Sequence, residues 1–557
     1  MAYLHKDPVP PTVDKLKHYK ALVVDDFVNF RRTVKGMLAG LGVAHIVDAF
    51  DGESALLRLS SSKYDIVLCD YNLGPGKDGQ QVFEEAKHYQ YINYMTIFMM
   101  VTAENSMDMV MGVVEHMPDD YLMKPFTKQM LEKKLLSVLE KKIALREIIE
   151  TIEVMDYDRA LTLCDEAIGK GPKHIREVLR IKGEIFAKRG DHQQTEAFYK
   201  EVAAMGKIPW ALFGVGKCQY QQGWLEEAKV TFTQLIKMNN KVMAAYDWLA
   251  KVLDAMGSPQ EAQTVLMKAT EISPRALGRQ RELGAIARKN QDLKTAVKSF
   301  RSAITFGKNS AFKAPSDYAT LARVLVDADS PQESLSVLGD AHQTFPRDDL
   351  GATVEIGLAE SFVYQRMNRK EEAKEAINNV IRATEKSSVK VPADVELELA
   401  KALILSGDGE KGKEIVRKLI QSNHENEELI TDTKKMFAGL DMAKEGQELL
   451  EAAVEEVVEL NNEGVKLVKE GELAKATSYF DKAAEKLPYN TLINANAAYA
   501  CMLDMKKNGK TSESIQKAKK YLERVYRGNP QYGDLPRLLT VYREISKEPL
   551  SWMTATA

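Results

Sequence analysis

Ile66-Val67-Leu68-Cys69-Asp70 is a short apolar run that ends in a carboxylate. Upstream, Ala21-Leu22-Val23-Val24 ends the same way, in the pair Asp25-Asp26. Downstream, Met99-Met100-Val101 delivers Thr102, and Tyr121-Leu122-Met123 delivers Lys124-Pro125-Phe126. A run of four to eight apolar residues bounded by polar ones suits a strand buried on both faces, and amphipathic helical stretches separate these runs. Strands are predicted at 21–24, 45–49, 66–69, 96–101 and 121–124. Helices are predicted near 28–41, 52–61, 79–89, 105–116 and from 127 onward. Five β/α pairs in this length imply a doubly wound, five-stranded parallel sheet. In such a sheet the C-terminal strand ends share one edge, where ligands bind. Asp25, Asp26, Asp70, Thr102 and Lys124 should therefore converge.

The chemistry of that set is specific. Carboxylates suit Mg²⁺, a hard cation that prefers oxygen ligands. Asp25 or Asp26, with Asp70, can supply them, directly or through water, and the backbone carbonyl of Asn72 can add another. Asp70 would be a nucleophile toward phosphorus. The Lys124 ammonium and the Thr102 hydroxyl would each hold a phosphoryl oxygen. Taken singly, an acid pair after an apolar run is usually a loop or helix cap. All four elements in order, each at a strand end, make that reading a poor one.

Beyond residue 128 the strand signals stop and helix pairs take over as far as residue 546. Ala228, Ala262 and Ala296 are 34 residues apart. Four residues after each comes Phe232, Leu266 or Phe300, and seven after comes Leu235, Ala269 or Ala303. Further copies start at Ala160, Thr195, Ser334, Ala373, Gly412 and Ala476. Twelve residues before most anchors sits a small residue: Gly183, Gly216, Ala250, Gly284, Ala322, Ser361, Ala400 and Gly464, with Ile148 departing. Small residues at both places let two antiparallel helices approach closely. Pro172, Pro274, Pro346 and Pro488 close their units, because proline cannot continue a helix. Spacing stretches to 38–39 residues between positions 296 and 412, which predicts longer loops near 305–315 and 384–393. An insertion is expected around Lys506–Ser512. The stretch 421–456 is off-pattern, either a degenerate unit or a hinge.

The first region resembles the receiver domain of two-component response regulators (CheY-like), and the second resembles tetratricopeptide repeats. The resemblance implies that Asp70 is the phosphoacceptor and that Asp25 and Asp26 hold Mg²⁺. It implies that Thr102 and Lys124 sense the phosphoryl group, that Tyr121 is the switch aromatic and that the bond before Pro125 is cis. Asn72 and Glu104 would tune loss of the phosphoryl group; the pair is similar to that of the single-domain chemotaxis regulators. The loop Leu73–Gly79 is one residue longer than the commonest family form, which should change its shape without moving Asp70. The donor would be a sensor histidine kinase or phosphotransfer protein, and the output a protein partner on the repeat groove.

The expected layout is a flexible lead-in at 1–19, a receiver at 20–140 and repeats at 141–420. A divergent helical segment at 421–456, further repeats at 457–546 and a tail at 547–557 follow. Repeats of this kind stack into an all-α superhelix with an extended concave face. Arg281, Arg288 and Lys289 are candidate groove residues, with a solvated helix face as the plainer alternative. No Gly or Pro separates Pro125 from Gly169. The stripe Leu131, Leu135, Val138, Leu145, Ile149 and Ile152 fits one helix through roughly residue 153, a rod of about 40 Å. It fits equally well two helices bent near Lys141-Lys142.

Composition narrows the classes. At 557 residues the chain exceeds one core; apolar residues make up 45%, charged residues 28%, and the net charge is −3. That balance gives no polyanion-binding signal, so no nucleic acid is expected as partner. Four scattered cysteines without metal spacing fit a reducing, cytoplasmic setting. No stretch is long and apolar enough to span a membrane, and the N-terminus lacks a signal-peptide core. No catalytic constellation occurs beyond the receiver, so no enzyme is expected outside its own phosphorylation chemistry. Two other roles remain open: a phosphorelay antagonist that blocks transfer by binding a kinase or regulator, and a constitutive scaffold with a vestigial receiver.

Overall fold

The computed structural model describes residues 13–103, 118–171, 174–206, 208–346, 348–386, 391–530, 532–548 and 550. The helix predicted at 105–116, Glu104 and Pro172 lie outside the described residues. Five strands form one parallel sheet: β1 Lys20–Val24, β2 His45–Ala49, β3 Ile66–Asp70, β4 Ile97–Ala103 and β5 Asp120–Lys124, in the order β2-β1-β3-β4-β5. The register places Val24 beside Cys69, Asp70 beside Val101, and Ala103 beside Lys124.

Strand periodicity assigns the side chains to two cores. Ala21, Val23, Ile66, Leu68, Ile97 and Met99 face helices α1 (Val28–Gly40) and α4 (Lys128–Glu153). Leu22, Val24, Val67, Cys69, Phe98 and Met100 face α2 (Gly52–Ser61) and α3 (Gly79–His88). Each fully buried apolar side chain contributes roughly 1.5–3 kcal/mol, and helices cover both faces of the central strands, so the sheet is a firm platform for its edge.

Helix α4 runs without a break over 26 residues, which selects the continuous form of the junction. Its first half buries Leu131, Leu135 and Val138 against the sheet. Its second half gives Leu145 and Ile148 to a different core, shared with Ala160, Cys164, Ile181 and Ile185 of the first repeat. At the seam Lys142 is buried, paired with Asp119 at 2.8 Å, and donates to the Tyr94 carbonyl.

The repeat helices follow the predicted frame. Gly183 faces Tyr199, Gly216 faces Phe232, Gly284 faces Phe300 and Gly464 faces Phe480; a Cβ added at any of these glycines would meet the ring at 2.3–2.7 Å. The residue five before each anchor turns the chain with a left-handed backbone, as at Gly257 (φ 75°) and Asn368 (φ 59°). Asp441 (φ 58°) repeats this mark inside the divergent segment. It fixes Gly446 as that unit's anchor, with buried Leu450 and Ala453 four and seven residues on. Here the close contact is exchanged: the anchor Gly446 receives Phe437 from the preceding helix. The segment is thus a helix pair, Glu427–Ala438 with Ala443–Lys469, and the second helix continues through position 456 into the next repeat. The extra residues near 506–512 lengthen a helix, Thr491–Asn508, more than they extend a loop.

The chain divides into two compact units, 1–329 and 330–557. The first holds the sheet and the earlier repeats; the second is helical among its described residues.

Candidate functional site

Each site residue is delivered by a strand end. Asp25 follows β1 and is buried; its backbone N–H donates to the Ala49 carbonyl at 3.2 Å, and its Oδ1 accepts from the Phe27 N–H at 2.8 Å. Asp26 is exposed beside it. Arg31, one turn into α1, donates from Nη1 to the carbonyls of Asp25 (2.7 Å) and Asp26 (3.2 Å) and from Nε to Asp48 (3.0 Å). It thereby clamps the backbone of the acid pair. Asp70 ends β3, buried, and Gly79 of α3 lies against its carbonyl so closely that a Cβ would sit 2.1 Å away.

One oxygen of each of Asp25, Asp26 and Asp70 lies within 4.8 Å of the others. Lys124 Nζ reaches Asp25 Oδ2 at 2.7 Å and Asp70 Oδ2 at 2.8 Å, and sits 4.1 Å from the centre of the Phe30 ring. Burial pushes the Asp70 carboxyl up to about 6, although the adjacent Lys124 ammonium pulls it down. Burial opposes the Lys124 charge as well, but its hydrogen bonds to Asp25 and Asp70 outweigh that and raise its pKa. Thr102, fully buried at the end of β4, donates to the Ala103 carbonyl at 3.2 Å. Phe27, Phe30, Asn72, Thr102 and Lys124 line a pocket of about 340 Å³ that opens on Asp70. Asn72 is exposed, and its side chain accepts from the Gly74 N–H at 3.4 Å. Tyr121, half-buried on β5, has its hydroxyl pushed up to about 12 by burial and by nearby Tyr71. The Lys124–Pro125 bond is cis.

Three carboxylates of this spacing, with the Lys124 ammonium and the Thr102 hydroxyl beside them, fit a hard divalent cation held by oxygen. The sequence-level set of Asp25, Asp26, Asp70, Thr102 and Lys124 is brought together at this edge. The sequence reading missed Arg31 and Phe30. Their signal was modest: a cation and an aromatic within the first turn after an acid pair.

The three candidate groove cations stand elsewhere. Arg281 forms a two-pronged pair with Asp317 (2.7 and 2.8 Å) and donates to the Phe312 carbonyl at 2.8 Å. Arg288 pairs with Asp327 at 2.8 Å and Lys289 with Asp254 at 2.5 Å. Each cation is engaged by a carboxylate of a neighbouring repeat, so these residues stitch repeats together.

Residues 21–136 match the response regulator receiver domain family and residues 244–275 the tetratricopeptide repeat family. Chemotaxis protein CheY of Pseudomonas aeruginosa is 33% identical over 122 residues, covering 22% of this chain and 97% of that protein. Chemotaxis protein CheY-3 of Vibrio cholerae is 32% identical over 125 residues, covering 22% and 95%. A crystal structure of a tetratricopeptide repeat protein from Parabacteroides merdae is 13% identical, covers 48% of this chain and 98% of that one, and has a TM-score of 0.31. The chain belongs to the response regulators, with an N-terminal CheY-like receiver domain followed by C-terminal tetratricopeptide repeats. No helix among the described residues is long and apolar enough to cross a membrane.

Proposed function

We propose that this protein is a phosphorylation-dependent response regulator whose repeats bind a protein partner as output. A sensor histidine kinase or phosphotransfer protein is the donor, and the setting is the cytoplasm. The observation that carries the reading is the Asp25, Asp26 and Asp70 cluster with Lys124 bonded to two of its members.

Asp25, Asp26, Asp70 and the Asn72 backbone carbonyl would hold Mg²⁺. When bound, the ion offsets negative charge as a phosphoryl group nears the carboxylate. An Asp70 carboxylate oxygen attacks phosphorus, and the P–N bond to the donor's phosphohistidine breaks. The imidazole leaves with that electron pair as a neutral ring, keeping the proton on its other nitrogen. Lys124, already at 2.8 Å from Asp70, redirects a donor to a phosphoryl oxygen. The Thr102 hydroxyl turns from the Ala103 carbonyl to another. Tyr121, next on the sheet, follows Thr102 inward and alters the outer face of β5 and α4. Asn72 and Glu104 set how long the adduct lasts, here a short time. The repeats supply binding surface and no chemistry.

The test is incubation of the full chain with Mg²⁺ and a small phosphodonor. One hydroxylamine-labile phosphoryl group is expected by intact mass, mapped to Asp70. An unlabelled wild type, or a label that persists in Asp70→Asn, overturns the proposal.

A further inference from the structure

Within the first compact unit, the receiver and the repeats together wall a cavity of about 640 Å³. Small-molecule sites run roughly 300–1,000 Å³ and favour such junctions between modules. One wall is the loop after β3 with the first turns of α3. The other is helices Met243–Ala255 and Leu277–Lys289 and the turn after helix Leu293–Gly307. Hydrogen bonds join the walls. Asn309 Nδ2 donates to the Gly76 carbonyl at 2.8 Å, and Lys77 Nζ donates to the Asn309 carbonyl at 3.0 Å. Gln81 Nε2 donates to the Phe306 carbonyl at 3.2 Å.

The charges lining the cavity divide into two sets. Some are already neutralised: Arg275 pairs with Asp78 at 3.3 Å, and Arg279 grips Asp247 with two bonds of 2.7 and 2.8 Å. Arg281 is taken by Asp317, which is not part of the lining. Three lining groups have no ionic partner among the described residues. Glu84, on the receiver wall, accepts from Gln80 Nε2 at 3.0 Å and meets no cation. Glu282, half-buried on the repeat wall, has neither a hydrogen bond nor an ion pair. Lys251, exposed where that wall reaches solvent, has the ring of Trp248 at 5.2 Å and no carboxylate. Glu84 is also a held group, because the Gln80 that bonds it is 9% exposed and cannot swing away. Burial pushes the Glu84 carboxyl up, the Gln80 bond offsets part of that, and the charge of Asp78 adds to it. The receiver wall is therefore short of positive charge.

Two carboxylates and one ammonium are complementary to a ligand with two cationic groups and one carboxylate. A free basic amino acid carries that set in its α-ammonium, its side-chain cation and its α-carboxylate. A simple diamine lacks the partner for Lys251, and a neutral amino acid lacks a partner for one of the glutamates. We propose that this cavity is a binding site for a free basic amino acid such as lysine or arginine, with its two cationic groups on Glu84 and Glu282 and its carboxylate on Lys251. The volume leaves space for bridging waters between so small a ligand and polar walls. The site is separate from the acid cluster and does not depend on phosphoryl transfer to Asp70.

Calorimetry on the full chain tests it, with L-lysine, L-arginine, cadaverine (lysine without its carboxylate) and L-norleucine (no side-chain cation) as probes. Lysine or arginine should bind at least about tenfold more tightly than cadaverine or norleucine. Glu84→Gln and Glu282→Gln should each weaken that binding by about tenfold or more. Lys251→Met should remove the advantage over cadaverine. Phosphoryl labelling of Asp70 should persist in all three variants, so failure of this site is distinguishable from failure of the receiver reading. No binding of lysine or arginine, cadaverine binding as tightly as either, or unweakened binding in both glutamine variants overturns the proposal. The comparison of probes on the wild type decides it even where a variant fails to fold.

Discussion

The sheet edge and the repeat seams are built by opposite logics. At the sheet edge, three carboxylates crowd within 4.8 Å and one of them is pushed up to about 6 by burial, an arrangement that costs folding energy. At several seams, as at Gly183, Gly216, Gly284 and Gly464, glycine faces an aromatic ring, an arrangement that stabilises packing and offers no reactive group. The difference teaches where function sits. The strained electrostatics mark where chemistry is possible, and the dense apolar contacts mark the frame.

The largest expected effect separates the two most sharply. Asp70→Asn should abolish phosphoryl labelling while the thermal midpoint stays the same or rises, because one member of a crowded acid set becomes neutral. A large fall in the midpoint would show that the carboxylate serves folding, against the contrast. Next come the seams. Gly464→Ala and Gly446→Ala should each destabilise the second unit by about 1–3 kcal/mol from overpacking, although alanine favours a helix by about 1 kcal/mol. Denaturant melts of each variant check this, and a neutral Gly446→Ala would break the equivalence drawn between the regular and exchanged units.

Magnesium titration then probes the sheet edge. In the metal-free protein the Asp70 carboxyl is protonated below about pH 6, and cation binding must displace that proton. Apparent affinity should therefore fall roughly tenfold per pH unit below 6 and flatten above it, as read by calorimetry or magnesium-dependent thermal shift. The sign for stability runs the same way. A carboxyl raised in the fold favours the metal-free fold at low pH, and that advantage fades as pH rises through 6, so Mg²⁺ should stabilise more at pH 7.5 than at pH 5. The smallest effect is a control. Gly339 lies in helix Pro331–Thr344 with nothing near its missing Cβ, so Gly339→Ala should stabilise by about 0.5–1 kcal/mol.

How much was legible followed the range of the interactions. Asp25, Asp26, Asp70, Thr102 and Lys124 could be placed because a strand end is a local pattern and parallel topology does the rest. Four of the five strands are within one or two residues of the expected bounds at each end, and the fifth, 45–49, coincides. Gly446 and Phe437 were not legible, since the rule being applied had small and large residues in fixed order and here they trade places. The partners of Arg281, Arg288 and Lys289 sit 35–39 residues away, one repeat off, where a helical face reads simply as charged. Least visible was Lys77, whose hydrogen bond to the Asn309 carbonyl spans 232 positions. Nothing in the local composition of a Gly-Pro-Gly loop announces such a contact.

One consequence follows from α4 belonging to two cores at once. A receiver excised at residue 140 would lose Lys142 from beneath Tyr94 and Asp119, while repeats begun there would keep Leu145 and Ile148 on an unsupported stub. The usual notion of separable modules joined by a linker does not apply to this junction. Fraying of the helix from either end is felt by both neighbours, so the sheet and the first repeat should unfold as a single cooperative block.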